Sequence, residues 1–314
     1  MARVTFLLPA AGVFGAQRLR GPGAQALGRA DRLPQGEAGR QAQLLRHFEL
    51  LPRRWPIAAL SRQADAGDAA GSAWLRADPA WVRPDINGAR LLACGDDLQL
   101  AAEDCAELLP ALRPLFGDAG FPIDAPHPSR WYLRLPPEAK LPRFPPPAEA
   151  IGTDLADQLD DEGPAARRWR ALLTEAQIVL HNHPWNARRV GRGLRPVNSL
   201  WLWGGGVLPD HVHSGHGAVA TAEEELQALV AASGSRVVAP MQAFDAVAAP
   251  SLVDLRALRD LRAFADDWLV PALAALSERR LDSLQLDLGD GTGYRFSRGQ
   301  RWRFWRRPQD SLAQ

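Results

Sequence analysis

The stretch 197-VNSLWLWGGGVLPDHVHSGH-216 decides how this chain is read, because an apolar run, a glycine run and three histidines follow one another in it. Ser199 to Trp203 has the length and apolar continuity of a buried strand. Gly204, Gly205 and Gly206 then read as a sharp turn at the strand's C-terminal end. Open α/β sheets usually place ligands there, and successive backbone amides can cradle a phosphate. No Gly-Lys-Ser/Thr follows, so this is no Walker loop, and Val207, Leu208 and Pro209 exclude a dinucleotide fingerprint. The bland reading is that the glycines only let the chain turn beside Trp201 and Trp203.

Outward from this stretch the pattern alternates. Upstream, Trp169, Leu172, Leu173, Ala176, Val179 and Leu180 form one apolar face and predict a helix over 165–181, stopped by Pro184. Downstream, Thr221 with Glu224 three residues on predicts a capped helix over 222–232. Strands at 236–240, 283–288, 293–296 and 301–305 and a helix over 252–276, interrupted at Pro271, complete the C-terminal half. In the N-terminal half Val4 to Leu8 reads as a buried first strand in preference to a weak secretory signal. A helix is expected over 39–51, a polar loop over 61–73, a helix over 102–116 and a strand at 130–136. Asn87-Gly88 between apolar runs predicts paired strands across 74–95. Six prolines in 136-PPEAKLPRFPPPAEA-150 predict a connector. The expected organisation is therefore an N-terminal α/β part with a hairpin, 1–135, the connector 136–150, and a C-terminal α/β part, 151–314, either separate or completing one domain.

Composition narrows the function classes. With 314 residues, 46% of them apolar, the chain can bury a substantial core. Its 37 basic and 36 acidic residues leave a net charge of +1, so no global field draws it to nucleic acid or an anionic membrane. Two cysteines, Cys94 and Cys105, make neither a thiolate zinc site nor a disulfide framework, which fits a cytoplasmic protein. No apolar run approaches the roughly 20 residues that cross a bilayer.

Three groups of residues could carry chemistry. His181 and His183, then His211 and His213, have a spacing that puts two imidazoles on one face of an extended segment. Asp210, His211, His213 and His216 together are a sufficient inventory for Zn or Mn, or else an exposed polar loop. Arg188, Arg189 and Asn198, with Gly204, Gly205 and Gly206, are candidates to bind a phosphate or another small anion. The tail 298-RGQRWRFWRRP-308 has the composition of a nucleic-acid stacking surface. Alternation of Trp302 and Phe304 with Arg301 and Arg303 equally describes an edge strand with one buried face, and the near-zero net charge favours the strand.

The segments 74-WLRADPAWVRPDINGARLLACG-95, 130-RWYLRLP-136, 182-NHPWNARR-189, 197-VNSLWLWGGGVLP-209 and 300-QRWRFWRRP-308, in this order, resemble the RpfE-type regulatory proteins, named for regulation of pathogenicity factors. More distantly, His183, Pro184, Asn186, Arg188, Asn198, Trp201, Trp203, Gly204, Gly206 and Pro209 look like a segment of the archaeal-type cofactor-independent phosphoglycerate mutases of the alkaline phosphatase-like superfamily. That likeness implies a mostly parallel central sheet flanked by helices. Those mutases use two divalent metals and a phosphorylated serine. Here the first strand runs into Ala10-Ala11-Gly12 where they have an Asp-Gly turn, no serine precedes Ser61, and nothing after His216 is histidine.

The expectation is a regulatory or binding protein on a degenerate mutase-like scaffold, leaning away from an enzyme and needing no cofactor. By the resemblance it would influence virulence-factor or exopolysaccharide production. Its partner would be a protein or a small anionic ligand, with neither membrane nor nucleic acid expected. The alternative is an active mutase-like or phosphatase-like metalloenzyme.

Overall fold

A computed structural model describes residues 2–85, 88–136, 138–139, 141–142, 144–151, 163–246 and 250–313. The chain runs β1 (Arg3–Leu8), α1 (Gly21–Arg29), β2 (Asp31–Arg32), α2 (Arg40–Leu45), β3 (Phe48–Leu51), α3 (Ile57–Ala66), β4 (Ala73–Asp85), β5 (Gly88–Cys94), α4 (Ala102–Asp118), β6 (Ile123–His127) and β7 (Arg130–Leu135). It continues through α5 (Pro147–Ala150), α6 (Pro164–His181), α7 (Pro184–Gly191), β8 (Ser199–Val207), β9 (His211–Ser214), β10 (Ala218–Ala220), α8 (Glu224–Ala232) and β11 (Arg236–Val238). Last come β12 (Leu252–Asp254), α9 (Leu261–Ala263), a π-helical stretch into α10 (Val270–Ser277), β13 (Ser283–Leu288) and β14 (Gly293–Ser297). The contacts divide the chain into Met1–Arg53 with His211–Gln314 as one unit and Arg54–Asp210 as the other. The boundaries expected at 135 and 151 do not coincide with this division, and the hairpin and the Pro-rich segment both fall in the second unit.

The first unit is a mixed α/β layer structure with a mostly parallel central sheet. Its strands run β11-β10-β12-β1-β13-β14-β2, with β11 to β13 parallel and β14 and β2 antiparallel. Strand period two sorts its side chains. Val4, Phe6, Leu8, Val253, Leu284, Leu286 and Leu288 pack on one face against Leu27, Phe264, Trp268, Leu269 and Leu276. Phe6 meets Phe264 and Trp268 edge to face, and burying each such ring contributes about 1.5–3 kcal/mol. The opposite face carries Leu7, with Asp254 of β12 and Asp287 of β13 as its register neighbours on either side.

In the second unit the antiparallel β4 is the axis. It pairs with β8 along residues 73–80 on one edge and with β7 and β5 on the other. α4 and α6 cover this sheet through Leu108, Leu112, Phe116, Trp169, Leu172 and Leu180. α6 starts with Pro164 at its first position and ends before Pro184, as proline's missing donor dictates.

Several elements differ from expectation. Residues 48–51 form a strand, with Phe48 and Leu50 buried and Glu49 and Leu51 exposed, because β9 supplies an antiparallel partner far along the chain. The expected loop at 61–73 begins inside α3, which closes on Gly67 in the left-handed region. Leu252–Asp254 is a central strand, not helix, and the helix begins at Leu261. No strand forms at 301–305: Arg298–Trp302 is a 3-10 turn, and Phe304 and Trp305 are exposed. The paired strands across 74–95 are present, while Asn87 lies outside the described residues. Among the described residues no helix is long and apolar enough to cross a membrane, and Cys94 and Cys105 are buried free thiols.

Candidate functional site

The C-terminal ends of the parallel strands in the first unit gather its polar residues. Asp254 and Asp287 point from the same sheet face, one strand to either side of Leu7, which places their Cα atoms roughly 10 Å apart. Each carboxylate is forked by an arginine. Arg256 donates from Nε and Nη2 to the two oxygens of Asp254, both at 2.8 Å. Arg46 donates to Asp287 from Nε at 3.0 Å and from Nη2 at 2.6 Å. Bidentate guanidinium pairing is among the strongest contacts a carboxylate can make.

Further groups close both clusters. Thr221 Oγ1 donates to Asp254 at 2.9 Å, and Glu223 bridges Arg256, at 2.8 Å, and Arg40. His47 links Asp287, at 2.7 Å from Nε2, to His216, at 3.2 Å from Nδ1. The fully buried Gln43 donates to the carbonyls of Leu8, at 3.0 Å, and Asp287, at 2.7 Å, stitching the ends of β1 and β13. Burial raises the Asp254 and Asp287 carboxyls, but their partners, Arg256 on the first and His47 and Arg46 on the second, hold both below the ordinary carboxylate value. Burial, then the neighbouring His47, depresses His216 to about 4, so its ring is neutral at pH 7.

This donor set does not fit the two divalent metals that the resemblance to the mutases implies. The two strand-end carboxylates already hold guanidinium cations, and β1 ends in Pro9-Ala10-Ala11, where Ala11 N donates to Asp290 at 2.8 Å. Among the described residues no group of three or more His, Cys, Asp or Glu could hold a metal ion. The expected ligands are also divided. His211 and His213 stack on the exposed face of β9, with ring centroids 6.2 Å apart, while His216 is partly buried against His47. Asp210 is exposed. Beside Arg46 and His47 lies a cleft of about 470 Å³, lined also by Glu49, Arg53, His213 and Gly215. Its polar lining is two arginines, two histidines and the carboxylate of Glu49, and its other walls are apolar, from Leu45, Phe48, Leu50 and Leu51.

The anion-binding candidates of the second unit have structural roles. Arg189 is fully buried, paired with Asp104 at 2.7 Å and donating to the carbonyls of Leu98, at 2.7 Å, and Arg195, at 3.0 Å. Asn198 exchanges two 2.8 Å hydrogen bonds with the backbone of Val82, extending the ladder of β8 on β4. Arg188 is exposed, its guanidinium 5.1 Å above the Trp185 ring. Gly204, Gly205 and Gly206 form no turn and no cradle: they lie within β8 at a bulge opposite Trp74 and Arg76. Gly204 has φ +69°, and a Cβ there would collide with Ile57 at the start of α3. The glycines thus serve close backbone packing. Trp203 donates to Asp78 at 2.7 Å, and Asp78 is forked by Arg76.

Two further sequence readings are refined by the geometry. His183 accepts from Trp185 N at 3.3 Å as the cap of α7, whereas Thr221 accepts from Glu223 N and lies two residues before the N-cap position of α8, which Glu223 holds without a side-chain capping bond. Arg46 and His47, the partners of Asp287, escaped the sequence reading altogether. Only the pairing of strands distant in sequence brings them together.

No protein-family model matches the chain. Segments of it are similar to curated phosphoglycerate mutases. The match to the 2,3-bisphosphoglycerate-independent phosphoglycerate mutase of Methanothrix thermoacetophila is 35% identical over 98 residues, 30% of this chain and 25% of that one. The match to the probable 2,3-bisphosphoglycerate-independent phosphoglycerate mutase of Geobacter sulfurreducens is 41% identical over 64 residues, 20% and 16% of the two chains. The chain thus spans a quarter or less of these two relatives' lengths. Among solved structures, a Pyrococcus horikoshii protein overlaps 95% of this chain and 88% of its own at TM-score 0.48 and 11% identity. The cofactor-independent phosphoglycerate mutase of Thermoplasma acidophilum overlaps 95% and 90% at TM-score 0.41 and 17% identity.

Proposed function

We propose that the chain is a non-catalytic binding or regulatory protein that keeps part of a phosphoglycerate mutase-like framework and takes up a small anionic ligand. One observation carries the reading: Asp254 and Asp287, the strand-end carboxylates available to a metal, are each neutralised by a bidentate arginine. Arg53 and His213 line the adjacent cleft and supply donors for an anion, beside Arg46 and His47, whose own donors are engaged by Asp287 and its surroundings. The biological setting, control of virulence-factor or exopolysaccharide production, rests on the resemblance to the RpfE-type proteins. The competing reading, a mutase-like or phosphatase-like metalloenzyme, draws on the matched segments, but would require Asp210, His211, His213 and His216 to converge from separate surfaces.

The test is to purify the protein without chelator, measure bound Zn and Mn by mass spectrometry, and assay phosphoglycerate isomerisation and phosphomonoester hydrolysis. Substoichiometric metal and no turnover are expected. Stoichiometric metal, with turnover abolished in His211→Ala and His213→Ala, would overturn the proposal.

A further inference from the structure

The most exposed large apolar side chains among the described residues are consecutive or nearly so: Trp302 at 65%, Phe304 at 78% and Trp305 at 69%. They do not belong to a loose tail. Arg303 donates to the carbonyl of Arg29 at 3.0 Å and to Asp31 at 2.5 Å, Gln309 N donates to Ala24 O at 3.0 Å, and Leu312 is buried. The backbone of Arg307 packs so closely on Gly28 that no Cβ fits there. The rings are therefore held out to solvent on an anchored segment.

The charge carried by the segment itself has one sign, with Asp31 on the neighbouring β2 pairing Arg303. Between Arg295 and Arg307 there are six arginines and no acidic residue. Arg301 stacks 4.8 Å from the Trp302 ring centroid. Like-charge pressure from Arg279, then slight burial and Arg301, holds the Arg298 guanidinium below its ordinary value, a sign of uncompensated positive potential. A groove of about 240 Å³ opens at the start of this segment, with Arg29, Arg298 and Arg301 at its wall and Ala26, Leu273 and Leu276 giving it a largely apolar floor. The exposed guanidinium groups of Arg301, Arg306 and Arg307, together with the exposed rings of Trp302, Phe304 and Trp305, match the phosphates and π-faces of nucleotides better than they match acyl chains.

We propose that this surface binds single-stranded nucleic acid, with bases on Trp302, Phe304 and Trp305 and phosphates on Arg298, Arg301, Arg306 and Arg307. It is separate from the cleft at Arg46 and His47, so the two proposals stand or fall independently.

The test is fluorescence anisotropy of the full chain with a fluorescein-labelled oligothymidylate of 20 nucleotides. Binding is expected at 50 mM salt, and contact of the four arginines with one phosphate each predicts about 50-fold weaker binding at 200 mM. Trp302→Ala and Trp305→Ala should each weaken it by roughly 5- to 140-fold, with unchanged circular dichroism because both side chains are exposed. No binding at 50 mM salt would overturn the proposal, as would undiminished binding by the triple variant Trp302→Ala, Phe304→Ala, Trp305→Ala. Capture by phosphatidylglycerol vesicles without oligonucleotide binding would overturn it in favour of a membrane partner.

Discussion

Replacing His216 with glutamine removes one titratable ring from the Asp287, His47, His216 chain and keeps its capacity to hydrogen-bond His47. The ring is mostly buried, and its pKa falls from an ordinary 6.5 to about 4. A histidine with a depressed folded value is neutral in the fold, while the unfolded chain gains a proton first. Its contribution to stability is therefore full above pH 6.5 and is lost as pH falls from there through about 4. Between pH 7.5 and pH 5 the loss integrates to ~2 kcal/mol, and partial exposure of the ring reduces this to about 1–1.5 kcal/mol. Urea unfolding followed by circular dichroism at both pH values measures it. Wild type should lose that much more stability than His216→Gln. The depressed carboxyls Asp254 and Asp287 do not interfere, since their stabilisation is lost only as pH falls below the ordinary value of 3.8. Zinc added at pH 7.5 should leave both midpoints unmoved. Equal pH sensitivity of the two proteins, or a zinc-dependent rise abolished by the variant, would refute the assignment of His216 as a buried neutral partner of His47.

Arg189→Ala should destabilise the protein by about 3–5 kcal/mol in denaturant unfolding, because it removes the cationic partner of buried Asp104 and leaves it only the neutral donors Ala101 N and Trp185 Nε1; a change under 1 kcal/mol would return Arg189 to the candidate ligand-binding residues. Asn198→Ala should cost about 1–3 kcal/mol by the same measurement through the unpaired backbone of Val82, and should leave phosphate affinity in titration calorimetry unchanged. Gly204→Ala combines left-handed strain with a clash on Ile57 and should cost about 2–4 kcal/mol. Ile57→Ala should relieve part of that cost, and strict additivity in the double-mutant cycle would contradict the packing described.

Where local pattern and tertiary context agree, the fold was legible in the residues. Val4 to Leu8 has the continuous apolar run of a strand buried on both faces, and β1 is the middle of the sheet. The apolar face ending at Leu180 and the stop at Pro184 bounded α6 to within a residue. Context overrode pattern elsewhere. Leu44, Leu45, Phe48 and Leu51 satisfy helical spacing, yet Phe48 and Leu50 also satisfy strand spacing, and only a partner at Val212 decides between them. In the tail the alternation of tryptophan and arginine had no strand to pair with, so the rings stayed exposed. Gly204 to Gly206 were sought as a turn because three glycines usually mean one; their reason is the close approach of Pro56 and Ile57, which no local window contains. The candidate site was the least legible, since Arg46 and His47 reach Asp287 only through the β1 and β13 register.

The order of strands also governs how the protein is born. β1 leaves the ribosome before the unit 54–210, but both its neighbours, β12 and β13, are encoded beyond that unit. At ordinary translation rates Thr5 waits on the order of 10–50 s for Leu252 to be synthesised. Throughout that interval an apolar strand with two open edges is exposed, while β4 to β8 find their strand partners within 54–210. Chaperone demand should therefore fall on the first strand, and nascent chains halted before residue 252 should depend on chaperones where released full-length protein does not.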